Sequence, residues 1–227
     1  MTAAEDPEAV GPRFSLEKML EMRTRTQDAV QAIAGRIEVG MTEAEAGKEA
    51  RRTLAALGLR RGWHPIIVRF GANTARAFMD RSEPDIVLGP DDIFFVDIGP
   101  IHRGMEGDAG DTFVTGNDPE HHQARADVHA IWHQVRYAWL TEHLSGRALY
   151  RLAQRASAAR GWRVNMDLAG HRLSEYSHKA YAGGRLAESD IVPSDYRWIF
   201  ELAIVHPTRP VGAFYEDLLI RNPVQAG

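Results

Sequence analysis

Four carboxylates in this chain stand where carboxylates are unfavourable. Residues 93–115, IFFVDIGPIHRGMEGDAGDTFVT, read as a hairpin of two strands, Ile93 to Ile98 and about Gly107 to Val114, with His102-Arg103-Gly104 midway. Asp97 and Asp108 are equidistant from its centre, so a simple register sets them directly opposite one another on one face. Asp is a poor strand former, and like charges across a ladder are unfavourable where a compatible pair contributes about 0.2–1 kcal/mol. The stretch WIFELAIVHPTRPVGAFYEDLLI repeats the problem. Its strands, around Trp198–Val205 and Ala213–Ile220, flank Thr208-Arg209, and Glu201 and Glu216 are again equidistant from the turn. One such pair could turn an acid to solvent at a bulge. Two pairs place four negative charges inside apolar strands, and two divalent cations would balance them.

The elements that must position these acids follow from the rest of the chain. With 227 residues, 44% of them hydrophobic, there is enough apolar material for a sizeable core in one large domain or two small ones. A net charge of −4 and a pI near 6.2 give no reason to expect nucleic acid or an anionic membrane as partner. No run approaches the roughly 20 apolar residues of a membrane span, and the acidic, polar residues 1–13 lack the basic-then-apolar order of a signal peptide, so a cytoplasmic location is expected. The absence of cysteine excludes disulfides, thiolate metal sites and a cysteine nucleophile, so any metal must rest on carboxylate and imidazole.

Residues 1–13 read as a disordered lead-in and 14–227 as a single domain. Ser15 is a plausible N-cap for LEKMLEMRTRTQDAVQAIAGRI, in which Leu16, Met19, Leu20, Val30, Ile33 and Ile37 keep helical spacing. Thr42-Glu43-Ala44-Glu45 has the form of a capping box opening a helix that ends near Gly58. A short strand, Pro65 to Phe70, then leads through Gly71-Ala72-Asn73 to the first acidic hairpin. In the second half, Asp118-Pro119 caps a helix with an apolar face of Val128, Ile131, Trp132, Val135 and Trp139. After a break at Ser145-Gly146 comes a helix that closes at Gly161-Trp162, followed by strands and the second acidic hairpin. Helix, glycine break, helix, strand and acidic hairpin occur twice, which predicts an α+β domain of pseudo-two-fold symmetry with the hairpins meeting at its centre.

Two regions could supply imidazole. His129 and His133 have the i, i+4 spacing of a zinc helix, but Ala130 stands where such helices carry Glu, and together with His121 and His122 they read as surface residues. The alternative is DLAGHRLSEYSHKA, an irregular strand bearing His171 and His178.

With these histidines the pattern becomes specific. Asp97, Asp108 eleven residues on in a remnant of D-x-T-R-T-F, Gly170-His171 with His178 seven on, then Glu201 and Glu216 resemble the pita-bread metallopeptidases: methionine aminopeptidase, aminopeptidase P, prolidase and creatinase. The likeness runs from about residue 15 to 220, includes the VGMTEAE turn, and fills all five metal-ligand positions with the right residue type. It implies the pita-bread fold and a hydrolase cleaving a peptide or amide bond with a metal-activated water. It implies that Asp97, Asp108 and Glu216 hold one divalent ion and that Asp108, His171, Glu201 and Glu216 hold the other. The ions would be manganese, iron, cobalt or zinc. Glu201 would also handle the water proton and His178 would donate to the substrate or its developing oxyanion. His64, beside Pro65 near this site in the family, is a second catalytic candidate, read equally well as a satisfied histidine at a strand entrance.

The departures from the family are informative too. The histidine that commonly follows the G-x-N turn by five residues is replaced by Phe78, so methionine aminopeptidase or proline-specific activity is expected to be weak. Gly110-Asp111 stand for Thr-Arg, His171-Arg172-Leu173-Ser174 for H-G-x-G, and His178-Lys179 for His-Glu. The N-terminal domain of creatinase, prolidase and aminopeptidase P has no counterpart. Arg172 and Lys179 would shift charge near the site positive, and an inward Arg172 would bind a substrate carboxylate or phosphate bidentately. Three functions are therefore weighed: a peptidase or amidase; a non-peptidase metalloenzyme acting on a small, anionic amino-acid-derived metabolite; and a metal-free binding protein, which retention of five ligands disfavours. The expected partner is a small molecule or short peptide as substrate, with a homodimer as an option.

Overall fold

The computed structural model describes residues 6–77 and 80–221. Four helices, α1 (Leu16–Ala34), α2 (Glu43–Ala56), α3 (Pro119–Glu142) and α4 (Gly146–Ala158), pack on two sheets. The strands are β1 (Arg61–Gly62), β2 (Ile67–Phe70), β3 (Ile93–Ile98), β4 (Pro100–His102), β5 (Met105–Glu106), β6 (Ala109–Val114), β7 (Arg163–Val164), β8 (His171–Arg172), β9 (Trp198–Val205) and β10 (Gly212–Leu218). The large antiparallel sheet runs β2-β3-β6-β10-β9-β7, with β8 also paired to β9; a small sheet joins β1, β4 and β5.

The helices begin where the sequence provides caps. Ser15 Oγ accepts from the Lys18 N–H, Asp118 from the Glu120 N–H ahead of α3, and Ser145 from the Ala148 N–H ahead of α4. Thr42 and Glu45 close a reciprocal box, satisfying two backbone donors that the first turn of α2 leaves open. Helices α1 and α2 bury Met19, Met22, Val30, Ile33 and Leu54 against Val96 and Ile98 of β3. In the other half, α3 and α4 bury Val128, Ile131, Trp132, Val135, Trp139 and Leu149 against Phe200, Leu202 and Ile204 of β9. Strand side chains alternate, so the residues between these, Phe95 and Asp97, Glu201 and Ala203, Phe214 and Glu216, face away from the helices. Phe95, Ala203 and Phe214 make a small apolar cluster on that inner face, beside the acids.

Two expectations are corrected. In the first hairpin the turn is Arg103-Gly104, both with positive φ, and β3 pairs with β6 so that Asp97 faces Gly110. The register is shifted by two residues from the symmetric one, which keeps Asp97 and Asp108 on one face but staggers them instead of opposing them. In the second hairpin Glu216 does face Glu201. The expected disordered lead-in is also wrong for residues 6–13. Glu8 Oε1 accepts from the Ser194 N–H and the Trp198 indole, and the Glu8 carbonyl accepts from Arg197, pinning this segment to the body.

Candidate metal centre

A single rung of the large sheet carries most of the acids. Asp97 pairs with Gly110, Gly110 with Glu216, and Glu216 with Glu201, so four neighbouring strands present Asp, Gly, Glu and Glu in one row. The glycine is required by space. A Cβ at Gly110 would lie 2.3 Å from Phe214 Cε1 and 3.2 Å from Glu216 Oε1, closing the gap through which the acids approach each other. Asp108 precedes β6, and His171 arrives on β8, which β9 holds at Trp198 and Ile199. All five line one cavity of about 330 Å³, together with Trp63, His64, Leu168, His178 and Lys179.

Asp108 is the hub. Its Oδ2 lies 2.8 Å from His171 Nε2 and its Oδ1 lies 3.0 Å from His64 Nε2, which is also 3.6 Å from Asp97 Oδ1. Glu201 Oε1 accepts from the Gly170 N–H at 2.9 Å. Glu216 Oε1, fully buried, has no hydrogen-bond partner among the described residues.

The electrostatics are those of acids crowded without enough positive charge. Burial pushes the Asp97 carboxyl up to about 7, with the charges of Asp108 and Glu201 adding to it against His64. Burial also raises Glu201, and it raises Glu216 well above the carboxylate range, where the charges of Asp108, Asp97 and Glu201 reinforce it. For Asp108 burial is outweighed by His64 and His171, and its pKa falls. Burial opposes charge on the two imidazoles, but Asp97 and Asp108 lift His64 to about 10, and the hydrogen bond and charge of Asp108 lift His171 to about 9. The crowded acids thus favour the neutral form, a charge imbalance that cations would relieve. Clustered oxygen and imidazole donors, one carboxylate oxygen without a partner among the described residues, and buried acids pushed toward their neutral form together fit a divalent metal. The donor groups His64, Asp97, Asp108 and Asp108, His171, Glu216 each bring three ligand atoms within 4.8 Å of one another.

His178 reaches the cavity from a 3-10 turn, His178–Ala180, not from a strand. A residue that sequence reasoning missed holds it. Glu106, buried on β5, accepts from the His178 N–H at 3.1 Å through Oε1 and pairs with Nδ1 at 2.7 Å through Oε2. A third acid inside the first hairpin, in GMEGD, was the available signal, but nothing in sequence links positions 72 residues apart. Trp63 was missed as well; it packs edge-on against His64, His171 and His178 and donates to the Gly107 carbonyl at 2.8 Å.

Arg172 is a correction. It follows His171 on β8 and therefore points to the opposite side, where it is almost fully buried. Its guanidinium donates to the Arg197 and Ala9 carbonyls and lies over the Trp198 ring, 5.3 Å from the centroid, so it ties down the N-terminal segment and is not among the residues lining the cavity. Phe78 lies outside the described residues. On α3, His129 turns its Nε2 to Asp111 Oδ1 at 2.8 Å.

The profile of metallopeptidase family M24 matches residues 17–220. Among solved structures, the chain is similar to an X-Pro aminopeptidase from Thermotoga maritima (18% identity, TM-score 0.70, covering 92% of this chain and 60% of that one). It is similar to a prolidase from Pyrococcus horikoshii (17%, 0.72, 95% and 62%). An Xaa-Pro dipeptidase from Bacillus anthracis is comparably similar (17%, 0.71, 95% and 60%). This chain thus spans about three-fifths of their length. No curated protein matches it. The likeness in structure makes the architecture the α+β pita-bread fold that the family resemblance implied. Matched from Glu17 to Ile220, the chain belongs to metallopeptidase family M24, a family of metal-dependent hydrolases.

Proposed function

We propose that this protein hydrolyses a peptide or amide bond of a small substrate at a centre of two divalent ions. The observation that carries the reading is the convergence of Asp97, Asp108, His171, Glu201 and Glu216 on one cavity, with the Glu216 Oε1 atom buried and without a partner among the described residues. Asp97, Asp108 and Glu216 would hold one ion, and Asp108, His171, Glu201 and Glu216 the other. Two such ions supply a water nucleophile at neutral pH and polarisation of the scissile carbonyl.

The chain's own groups supply the rest. Glu201, steadied at Oε1 by the Gly170 N–H, keeps its other oxygen for the proton of the attacking water. His178 keeps Nδ1 on Glu106, which turns Nε2 toward the reacting group. There it accepts a proton in the neutral ring and donates to a developing oxyanion when both nitrogens are protonated. Trp63 and Leu168 line the cavity with apolar surface and exclude water. A volume of about 330 Å³ suits a dipeptide-sized ligand better than a long chain.

A second reading, a small anionic amino-acid derivative as substrate, loses Arg172 as its support but keeps Lys179, an exposed cation lining the cavity. The test is metal analysis of purified protein, then turnover of a dipeptide library against a panel of acidic amides with each metal restored. Hydrolysis that disappears on chelation and returns with metal is expected. Metal-free protein that neither binds added ions nor changes its melting temperature with them would overturn the reading.

A further inference from the structure

His64 and His171 occupy equivalent positions about Asp108. His171 Nδ1 lies 2.8 Å from the Arg172 carbonyl and His64 Nδ1 lies 2.7 Å from the Pro65 carbonyl. A carbonyl only accepts, so in each neutral ring Nδ1 carries the proton and the Nε2 lone pair points at Asp108, His171 at Oδ2 and His64 at Oδ1. Fixing a ring through Nδ1–H to a backbone carbonyl is how proteins orient a metal-ligating imidazole. Two donors at about 2.0–2.2 Å from one ion stand roughly 2.8–3.6 Å apart for ligand angles between octahedral and tetrahedral. The spacings of His64 Nε2 from Asp108 Oδ1 and Asp97 Oδ1, 3.0 and 3.6 Å, fall within that range.

The fold also keeps a place for this ring. Gly99, at the end of β3, has no positive φ, so its lack of a side chain is a matter of room. A Cβ there would sit 2.0 Å from His64 Cδ2, 2.2 Å from Nε2 and 2.6 Å from Trp63 Nε1. Any other residue at 99 would push His64 off the two aspartates. A histidine that merely filled a strand entrance would have no use for a gap cut to its metal-facing edge.

We propose that His64 is a metal ligand, completing with Asp97 and Asp108 the coordination of one ion as His171 does for the other, so that each ion carries one imidazole. This rests on the two-ion reading above and adds a sixth ligand to the five that the family pattern supplies. The consequence is a change in cofactor class: a second imidazole shifts the centre from carboxylate ligation, which suits manganese, toward zinc, iron or cobalt.

The test is X-ray absorption of the zinc-loaded protein, which counts imidazoles per zinc, with zinc affinity measured by calorimetry. With both sites saturated with zinc, wild type should show a mean of one imidazole per ion, and His64→Ala half of that. The affinity for one of the two zincs should fall by more than about 100-fold, since loss of an outer-shell partner alone costs about 10–100-fold. Gly99→Ala, which keeps His64 but displaces its ring, should give the count of His64→Ala. A wild-type mean of one-half overturns the assignment of His64 while leaving the two-ion centre intact. An unchanged count in His64→Ala overturns it too. Failure of wild type to take up zinc overturns both this and the proposed function.

Discussion

Replacing Glu106 by Gln tests how His178 is set for proton transfer. The carboxylate offers two acceptors, and both are used: Oε1 takes the His178 backbone N–H at 3.1 Å and Oε2 takes Nδ1–H at 2.7 Å. A carboxamide has one acceptor and one donor, so it cannot serve both. If the amide oxygen stays on the backbone N–H, the NH₂ group faces Nδ1, and the neutral ring must move its proton to Nε2. If the oxygen stays on Nδ1–H, the NH₂ group confronts the backbone donor, and a buried N–H goes unpaired at about 1–3 kcal/mol. The first outcome exchanges a charge-assisted bond, about 1.5–3 kcal/mol, for a neutral one of about 0.5–1.5 kcal/mol. It is therefore the cheaper of the two, and Glu106→Gln should lose about 1–2 kcal/mol of stability and reverse the His178 tautomer. Long-range proton–nitrogen spectra of protein labelled with ¹⁵N-histidine would read the reversal, with no substrate needed. Turnover should fall about 10²–10⁴-fold, the usual contribution of a positioned acid or base. A variant that keeps the wild-type tautomer, or a wild type already protonated on Nε2 in the neutral ring, would refute the reasoning.

The remaining predictions concern the metal, the pH and the N-terminal segment. Divalent metal at about 100 times its Kd should add about 2.7 kcal/mol, which in a protein of this size raises the melting temperature by roughly 5–10 °C, and chelation should remove the gain. Asp108→Ala should lose more bound metal than Asp97→Ala, because Asp108 faces both histidines; equal metal content would contradict that hub. Without metal, stability should fall as pH rises. Asp97, raised to about 7, binds a proton in the folded state that the unfolded chain sheds near pH 4, and His64 and His171, at about 10 and 9, give up their stabilisation as pH climbs through those values. Within the centre, Asp108, whose pKa is lowered, works the other way. A melting temperature of metal-free protein that is flat or rising from about pH 5.5 to 9 would sink this account. Arg172→Ala should cost about 2–3 kcal/mol through lost bonds to Ala9 and Arg197, with metal content unchanged; loss of metal without loss of stability would return Arg172 to the site.

What the sequence made legible was whatever is written in local pattern. The caps at Ser15, Thr42 and Asp118, the apolar face of α3 and the Glu201–Glu216 pair are each fixed by residues within one element or one hairpin, and each stands where its spacing put it. The Asp97–Asp108 register was misjudged because it depends on which two residues of the turn take positive φ, and Arg103 taking one of those places is not written in its residue type. The contact of His64, already a catalytic candidate, with Asp108 and the role of Glu106 were illegible for a different reason. Each acts across a space closed by other elements, Glu106 on a histidine 72 residues away and His64 through the gap at Gly99 onto Asp108, 44 residues on. Arg172 shows the reverse error: its charge beside a ligand looked functional, but alternation along β8 turned it to Trp198. Charge in sequence proximity is therefore weaker testimony than a carboxylate in an apolar strand. The first costs nothing to place at the surface, whereas the second is tolerated in a core only if something arrives to neutralise it.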